Sequence, residues 1–128
     1  MRDFRTLNIW KGGIAIVKQV YRLAEFLPLE EKYGLRSQIC RSAVSIPSNI
    51  AEGCSRSSQI DFKRFLEMAL GSSFELETQL ILIEELSMFT DEDIKVILTQ
   101  LNKEQKMINS LINKLKLTVK SQQLNSYK

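Results

Sequence analysis

The chain has 128 residues, 44% of them hydrophobic and 26% charged, with a net charge of +3. That length supports one domain with a single core, and the composition is that of a folded protein rather than a disordered one. No histidine is present, which removes Ser-His-Asp and Cys-His catalysis and the Glu-x-x-His pairs that hold two irons in a helix bundle.

The longest apolar runs, such as Leu80 to Ile83, are too short to cross a bilayer. The N-terminal residues lack the pattern of a secretory signal, so a cytoplasmic protein with no membrane association is expected. Cys40 and Cys54 fall on one predicted helix, fourteen residues and so roughly 20 Å apart. That spacing is beyond disulfide reach and rules out a shared zinc ion, leaving both as small buried hydrophobes or inert thiols. No cofactor or metal is expected.

Charge is unevenly spread. Residues 1–64 carry eleven Lys/Arg against six Asp/Glu, residues 65–94 carry eight acids and no base, and residues 95–128 carry seven lysines and one acid, Glu104. One acidic surface and separate basic surfaces follow, an arrangement that steers a polyanion or pairs subunits head to tail.

The first predicted helix spans about residues 7–27. Leu7, Trp10, Ile14, Val17, Tyr21 and Ala24 recur at steps of three and four. A second set, Ile9, Ile16, Val20, Leu23 and Leu27, lies about 120° further round. Lys11, Lys18, Arg22 and Glu25 are left in a narrow strip. An apolar arc of this width exceeds the roughly 100° stripe that a simple bundle helix buries. The surplus points to subunit contact, with Ile9, Trp10, Ile16, Val20 and Leu23 as candidate interface residues.

After a turn through Pro28 to Gly34, a second helix is predicted over 35–53, with Leu35, Ile39, Ala43, Ile46 and Ile50 inward. Pro47 inside it removes one backbone donor and crowds the Ala43 carbonyl, which predicts a kink. Gly53 suits the residue just past the helix end. Ser58 with Asp61 resembles a capping box opening a third helix, 59–87. Its core face is Phe62, Phe65, Leu66, Ala69, Leu76, Leu80 and Ile83, and the small residues Ala69 to Ser73 offer a place for close helix approach.

Thr90 followed by Asp91, Glu92 and Asp93 marks the start of a fourth helix over 91–120, by capping and by the helix dipole. Ile94, Leu98, Leu101, Ile108, Leu111 and Leu115 form its apolar face, and residues 121–128 read as a fraying tail. Four helices joined by short loops predict an all-α, antiparallel up-down-up-down four-helix bundle.

No phosphate-binding glycine loop is present, and Gly12-Gly13 lacks the strand-to-helix context of a nucleotide fingerprint. Glu75, Glu77, Glu84 and Glu85 read as a solvated acidic face. The most informative stretch is Arg41 to Arg56, where Asn49, Glu52 and Arg56 sit at spacings of three and four among apolar residues. Glu52 and Arg56 are placed to pair, and Asn49 to satisfy backbone groups freed by Pro47. The alternative is a ligand or nucleic-acid contact.

These residues carry a family resemblance. Tyr33-Gly34-Leu35, Gln38-Ile39-Cys40-Arg41, Ser45-Ile46-Pro47-Ser48-Asn49-Ile50-Ala51-Glu52-Gly53 and Ala69-Leu70-Gly71-Ser72-Ser73-Phe74-Glu75-Leu76 resemble the signature of bacterial proteins encoded within intervening sequences of 23S ribosomal RNA genes. Relatives of that family include the accessory variability determinant of diversity-generating retroelements. The resemblance runs from about Leu7 to Ile112, and Gly12-Gly13 departs from it. It implies an up-down bundle assembling into a ring, typically a homopentamer, and a retroelement relative that engages nucleic acid and reverse transcriptase through a basic surface. By position, Arg41, Asn49, Glu52, Arg56 and Glu75 are the characteristic polar residues, with Asn49, Glu52, Arg56 and Glu75 expected as a structural polar cluster.

Three functional readings follow: an oligomeric nucleic-acid-binding accessory protein, a protein-interaction scaffold with no nucleic acid involved, and an enzyme working by carboxylates alone. For the first, candidate phosphate contacts are Arg36, Arg41, Arg56, Lys63 and Arg64, with Lys103, Lys106 and Lys114 as a second patch. Without aromatic stacking partners such contacts are independent of base sequence and sensitive to salt.

Overall fold

In the computed structural model, which describes residues 2–31, 34–86 and 91–126, four helices account for nearly all of the chain. They are α1 (Asn8–Glu25), α2 (Leu35–Cys54), α3 (Gln59–Glu85) and α4 (Asp91–Ser126). Each helix packs on its neighbours in sequence and α1 closes the ring against α4, so α1 and α3, and likewise α2 and α4, lie diagonally across the bundle. The core runs down the centre through Ile16, Val20, Ile39, Ile46, Ile50, Leu66, Leu76, Leu80, Ile94, Leu101 and Ile108, all at most 1% exposed.

The wide apolar arc of α1 has an explanation within the single chain, which corrects the expected subunit interface. Ile9, Ile16, Val20 and Leu23 are buried at 5% exposure or less. They form the stripe that faces the core. Leu7, Trp10, Ile14 and Val17 flank it half-buried, and a short 3-10 turn, Phe4–Thr6, lays Phe4 against Trp10 at 5.3 Å between ring centroids. A helix covered by one neighbour on each side, and by a turn folded over its start, requires more apolar surface than one stripe.

Two glycines set how closely helices approach. A Cβ at Gly13 would lie 3.2 Å from Pro47 Cβ, so α1 passes tightly over the proline in α2. A Cβ at Gly53 would lie 2.8 Å from Phe65 Cβ, closer than real contacts allow. Gly53 therefore does not end α2 as expected. The helix continues to Cys54, with Ser55 capping it in a right-handed conformation, and the glycine makes room for α3. Gly71 meets nothing within 4 Å, whereas Ala69 and Ser73 are buried. The close approach is thus at Ala69 and Ser73 rather than at the glycine.

Helix α2 runs as one element through Pro47. At the start of α3, Ser58 Oγ accepts the Asp61 N–H at 3.1 Å, the expected cap. Helix α4 extends to Ser126, six residues past the predicted end, so the polar tail is helical rather than frayed through that point. The turn at Tyr33, the end of the third predicted helix at Ser87, the Thr90 cap and residues 127–128 lie outside the described residues. Among the described residues no helix is long and apolar enough to cross a membrane.

Candidate functional site

The expected polar cluster separates into three arrangements. Asn49 Nδ2 donates to the Ser45 carbonyl at 2.9 Å and lies 3.0 Å from Ser45 Oγ. Ser45 Oγ in turn meets Ser72 Oγ of α3 at 2.8 Å. Asn49 therefore bonds the carbonyl four residues back, not the Ala43 carbonyl that Pro47 leaves without its usual donor. Further along the same seam, Ser42 Oγ donates to Gln79 Oε1 at 2.9 Å, and Gln79 Nε2 donates to Glu75 Oε1 at 3.3 Å. Glu52, in the last turn of α2, and Arg56, just past its end, form a separate exposed pair, 3.3 Å apart. The first two arrangements stitch α2 to α3. The third lies at the surface, where such a pair contributes little to stability.

The first group of candidate phosphate contacts also divides. Arg36 and Arg41 lie in the first half of α2, while Arg56 follows its end and Lys63 and Arg64 open α3. The length of α2, about 30 Å, separates Arg36 from Arg56. At the far end the cations are already engaged. Lys63 Nζ is 2.8 Å from Glu67 Oε1, Arg64 is 3.8 Å from Asp61, and Arg56 and Arg64 both stack on the Phe65 ring, at 4.7 and 5.5 Å from its centroid. Arg2 covers Phe62 beside them, 4.0 Å from that ring's centroid.

Lys103, Lys106 and Lys114 differ from these. All three are exposed on α4, their helical spacing puts them on one side of the cylinder, and none makes an ion pair among the described residues. Because α4 lies diagonally from α2, this row cannot merge with the cations of α2.

Beside the lysine row lies a residue the sequence marked only as the one acid of its region. Glu104 is 1% exposed, and neither carboxylate oxygen has a hydrogen-bond partner among the described residues. Burial pushes its carboxyl up to about 8. The signal for this position was present in the pattern. Ile94, Ile97, Leu101, Ile108, Ile112 and Leu115 are the buried stripe of α4, and Glu104 takes the position between Leu101 and Ile108 at steps of three and four. Gln100 Oε1, one turn earlier, is also buried without a partner. Both residues line a half-enclosed cavity of about 300 Å³ with Asn8, Gly12, Lys103 and Met107, between α1 and α4.

Nothing else in the described residues assembles reactive groups. Burial raises the pKa of both Cys40 and Cys54 above the ordinary thiol value, with Arg36 opposing it at Cys40 and Arg2 at Cys54. Both are free thiols, Cys54 buried and Cys40 half-buried. No group of three or more Cys, Asp or Glu among the described residues is arranged to hold a metal ion.

An all-α four-helix bundle whose polar signature is concentrated in α2 and α3 defines a small helical-bundle protein. Residues 5–110 match the family described as 23S rRNA-intervening sequence protein, and the chain belongs to that family. Its fold is similar to that of a crystal structure of a protein of unknown function from the S23 ribosomal protein family of Bacteroides thetaiotaomicron. The two are 28% identical, with a TM-score of 0.76 over 81% of this chain and 97% of that one. No curated protein matches the sequence.

Proposed function

We propose that this protein is a non-enzymatic, oligomeric accessory protein that binds the backbone of RNA or DNA. The observation that carries this reading is the row of Lys103, Lys106 and Lys114, exposed along one side of α4 with no carboxylate partner among the described residues. Cations already paired must give up a partner to meet a phosphate, whereas these need not. The family's name, which ties it to intervening sequences of 23S rRNA, supports a role near nucleic acid.

Self-association is supported by α3 rather than α1. The outer side of α3 exposes Ile60 at 55%, Met68 at 49%, Phe74 at 51%, Ile81 at 40% and Leu82 at 45%. These residues fall within one half of the helix, opposite its buried stripe, with Glu67 and Glu75 among them. A helix apolar on two sides has more to bury than one bundle provides. A second copy is the occupant we assign to this face, as in the homopentamer that the resemblance implies.

Titration of the full chain against single-stranded RNA and duplex DNA at two salt concentrations tests the reading. Binding that weakens steeply with salt and ignores base sequence is expected. Absence of binding at low salt, together with a stable oligomer by light scattering, would favour the scaffold reading instead. Phe74→Glu is expected to reduce the oligomeric mass; an unchanged mass would remove α3 as the subunit contact.

A further inference from the structure

Gln100 Oε1 and both oxygens of Glu104 are buried acceptors with no donor among the described residues, and their residues line the same cavity between α1 and α4. An orphaned acceptor of this kind is costly, and a carboxylate more so. With Glu104 ionised, the three acceptors set a demand for three donors and for positive charge, and a cationic partner offsets the burial that otherwise favours the protonated carboxyl. An ammonium group has three N–H donors and the right charge, and a guanidinium has five. A single water brings two donors and no charge.

A divalent cation is a poorer fit. Hard cations take six or more oxygens, and here two residues supply three. The wall chemistry also favours an organic ligand. Met107 lines this cavity and a neighbouring open groove of about 380 Å³ bordered by Leu7, Ile9 and Leu111. Lys103 lines the cavity as well, but it makes no ion pair with Glu104. We propose that this cavity binds a small organic amine, its cationic head held by Glu104 and Gln100 and its apolar stem lying on Met107 towards Leu111. The inference does not rest on nucleic-acid binding, although Lys103 of the cavity wall and Lys106 of the groove also belong to the lysine row.

The test is calorimetric titration of the full chain with n-butylammonium chloride, with n-butanol as the uncharged control. Saturable binding of butylammonium is expected, with none for butanol at the same concentrations. Glu104→Gln keeps the shape and removes the charge, and is expected to weaken binding at least tenfold. Gly12→Ala keeps the carboxylate but places a methyl against Glu104 Oε1, and is also expected to weaken it; circular dichroism establishes that both variants are folded. Equal binding of butylammonium and butanol, or equal binding by Glu104→Gln, would overturn the proposal and leave ordered water as sufficient. If butylammonium fails to bind while Glu104→Gln lowers the oligomeric mass, the donor is a basic side chain of a second copy, and the small-molecule site is refuted.

Discussion

Gly12 of α1 and Glu104 of α4 share one volume: a Cβ at position 12 would run into Glu104 Oε1. The glycine leaves open the space that the buried carboxylate fills. Alanine in a helix is favoured over glycine by about 1 kcal/mol. In the native background that gain is offset by displacement of the carboxylate, and Gly12→Ala is expected to give little or no stabilisation. With Glu104→Ala already made, the same substitution should stabilise by about 1 kcal/mol. Urea denaturation of the four chains of the cycle measures the coupling. Additive effects would show that the two residues do not compete for space.

Glu104 also predicts an unusual dependence on pH. Its folded pKa, about 8, is above the ordinary value of 4.5, so between these values the folded chain holds a proton that the unfolded chain has released. Stability from this group is therefore fully present below pH 4.5 and is lost as pH rises to about 8. Asn8 and Gly12 face it from α1 without charge, and Lys103 on the cavity wall is the nearby cation. At about 1.4 kcal/mol per pKa unit the whole effect amounts to a few kcal/mol. Glu104→Gln should be the more stable chain at pH 8, and its advantage should shrink towards pH 5. Parallel stability curves for the two chains would contradict this assignment.

Gly53→Ala is expected to destabilise the protein although it lies within a helix. The new Cβ would meet Phe65 Cβ at 2.8 Å and Phe62 Cδ1 at 3.2 Å. A Cβ moves only with its backbone, so α2 and α3 must separate. Overpacking of this kind costs about 1–3 kcal/mol, against a propensity gain of about 1. A lower urea midpoint is the expected result, and a higher one would mean that the two helices have slack at this crossing.

Replacing Lys103, Lys106 and Lys114 together with Glu should abolish polyanion binding. Each phosphate contact contributes about 0.9 to the slope of log affinity against log salt on duplex DNA. Loss of three contacts should thus flatten that slope by about 3. Unchanged affinity would move the contact surface to the other cations, Arg36 and Arg41 first, because they make no ion pair among the described residues.

The four helices are legible because their apolar residues recur at helical steps and because Gly34 precedes α2 and Ser58 caps α3. The destination of each apolar face was not. Ile9, Ile16, Val20 and Leu23 read as surplus surface because a sequence does not say how many neighbours cover a helix; two neighbours and a 3-10 turn absorb them. Conversely, the inward stripe alone satisfies the periodicity of α3, so nothing in the pattern marks Met68, Phe74 and Ile81 as exposed. Within the family signature Glu52 and Arg56 pair as their spacing predicts, whereas the links that Asn49 and Glu75 join between α2 and α3, Ser45 to Ser72 and Ser42 to Gln79, depend on the register between helices. Glu104 takes a position of the buried stripe, but a carboxylate has no apolar character for a hydrophobic period to register.

The lengths of the helices have a consequence for the limits of the folded unit. At 36 residues α4 is about 54 Å long, twice the length of α1, and among its described side chains the last buried one is Leu115. Beyond it Lys116, Leu117, Thr118 and Lys120 are exposed, so the final turns gain little from tertiary packing and rest on backbone hydrogen bonds that short isolated helices sustain poorly. Trypsin should therefore cut at Lys116 and Lys120 before it reaches any basic residue of α2. The trimmed chain should melt at nearly the same temperature; a large drop would mean that those turns brace the bundle.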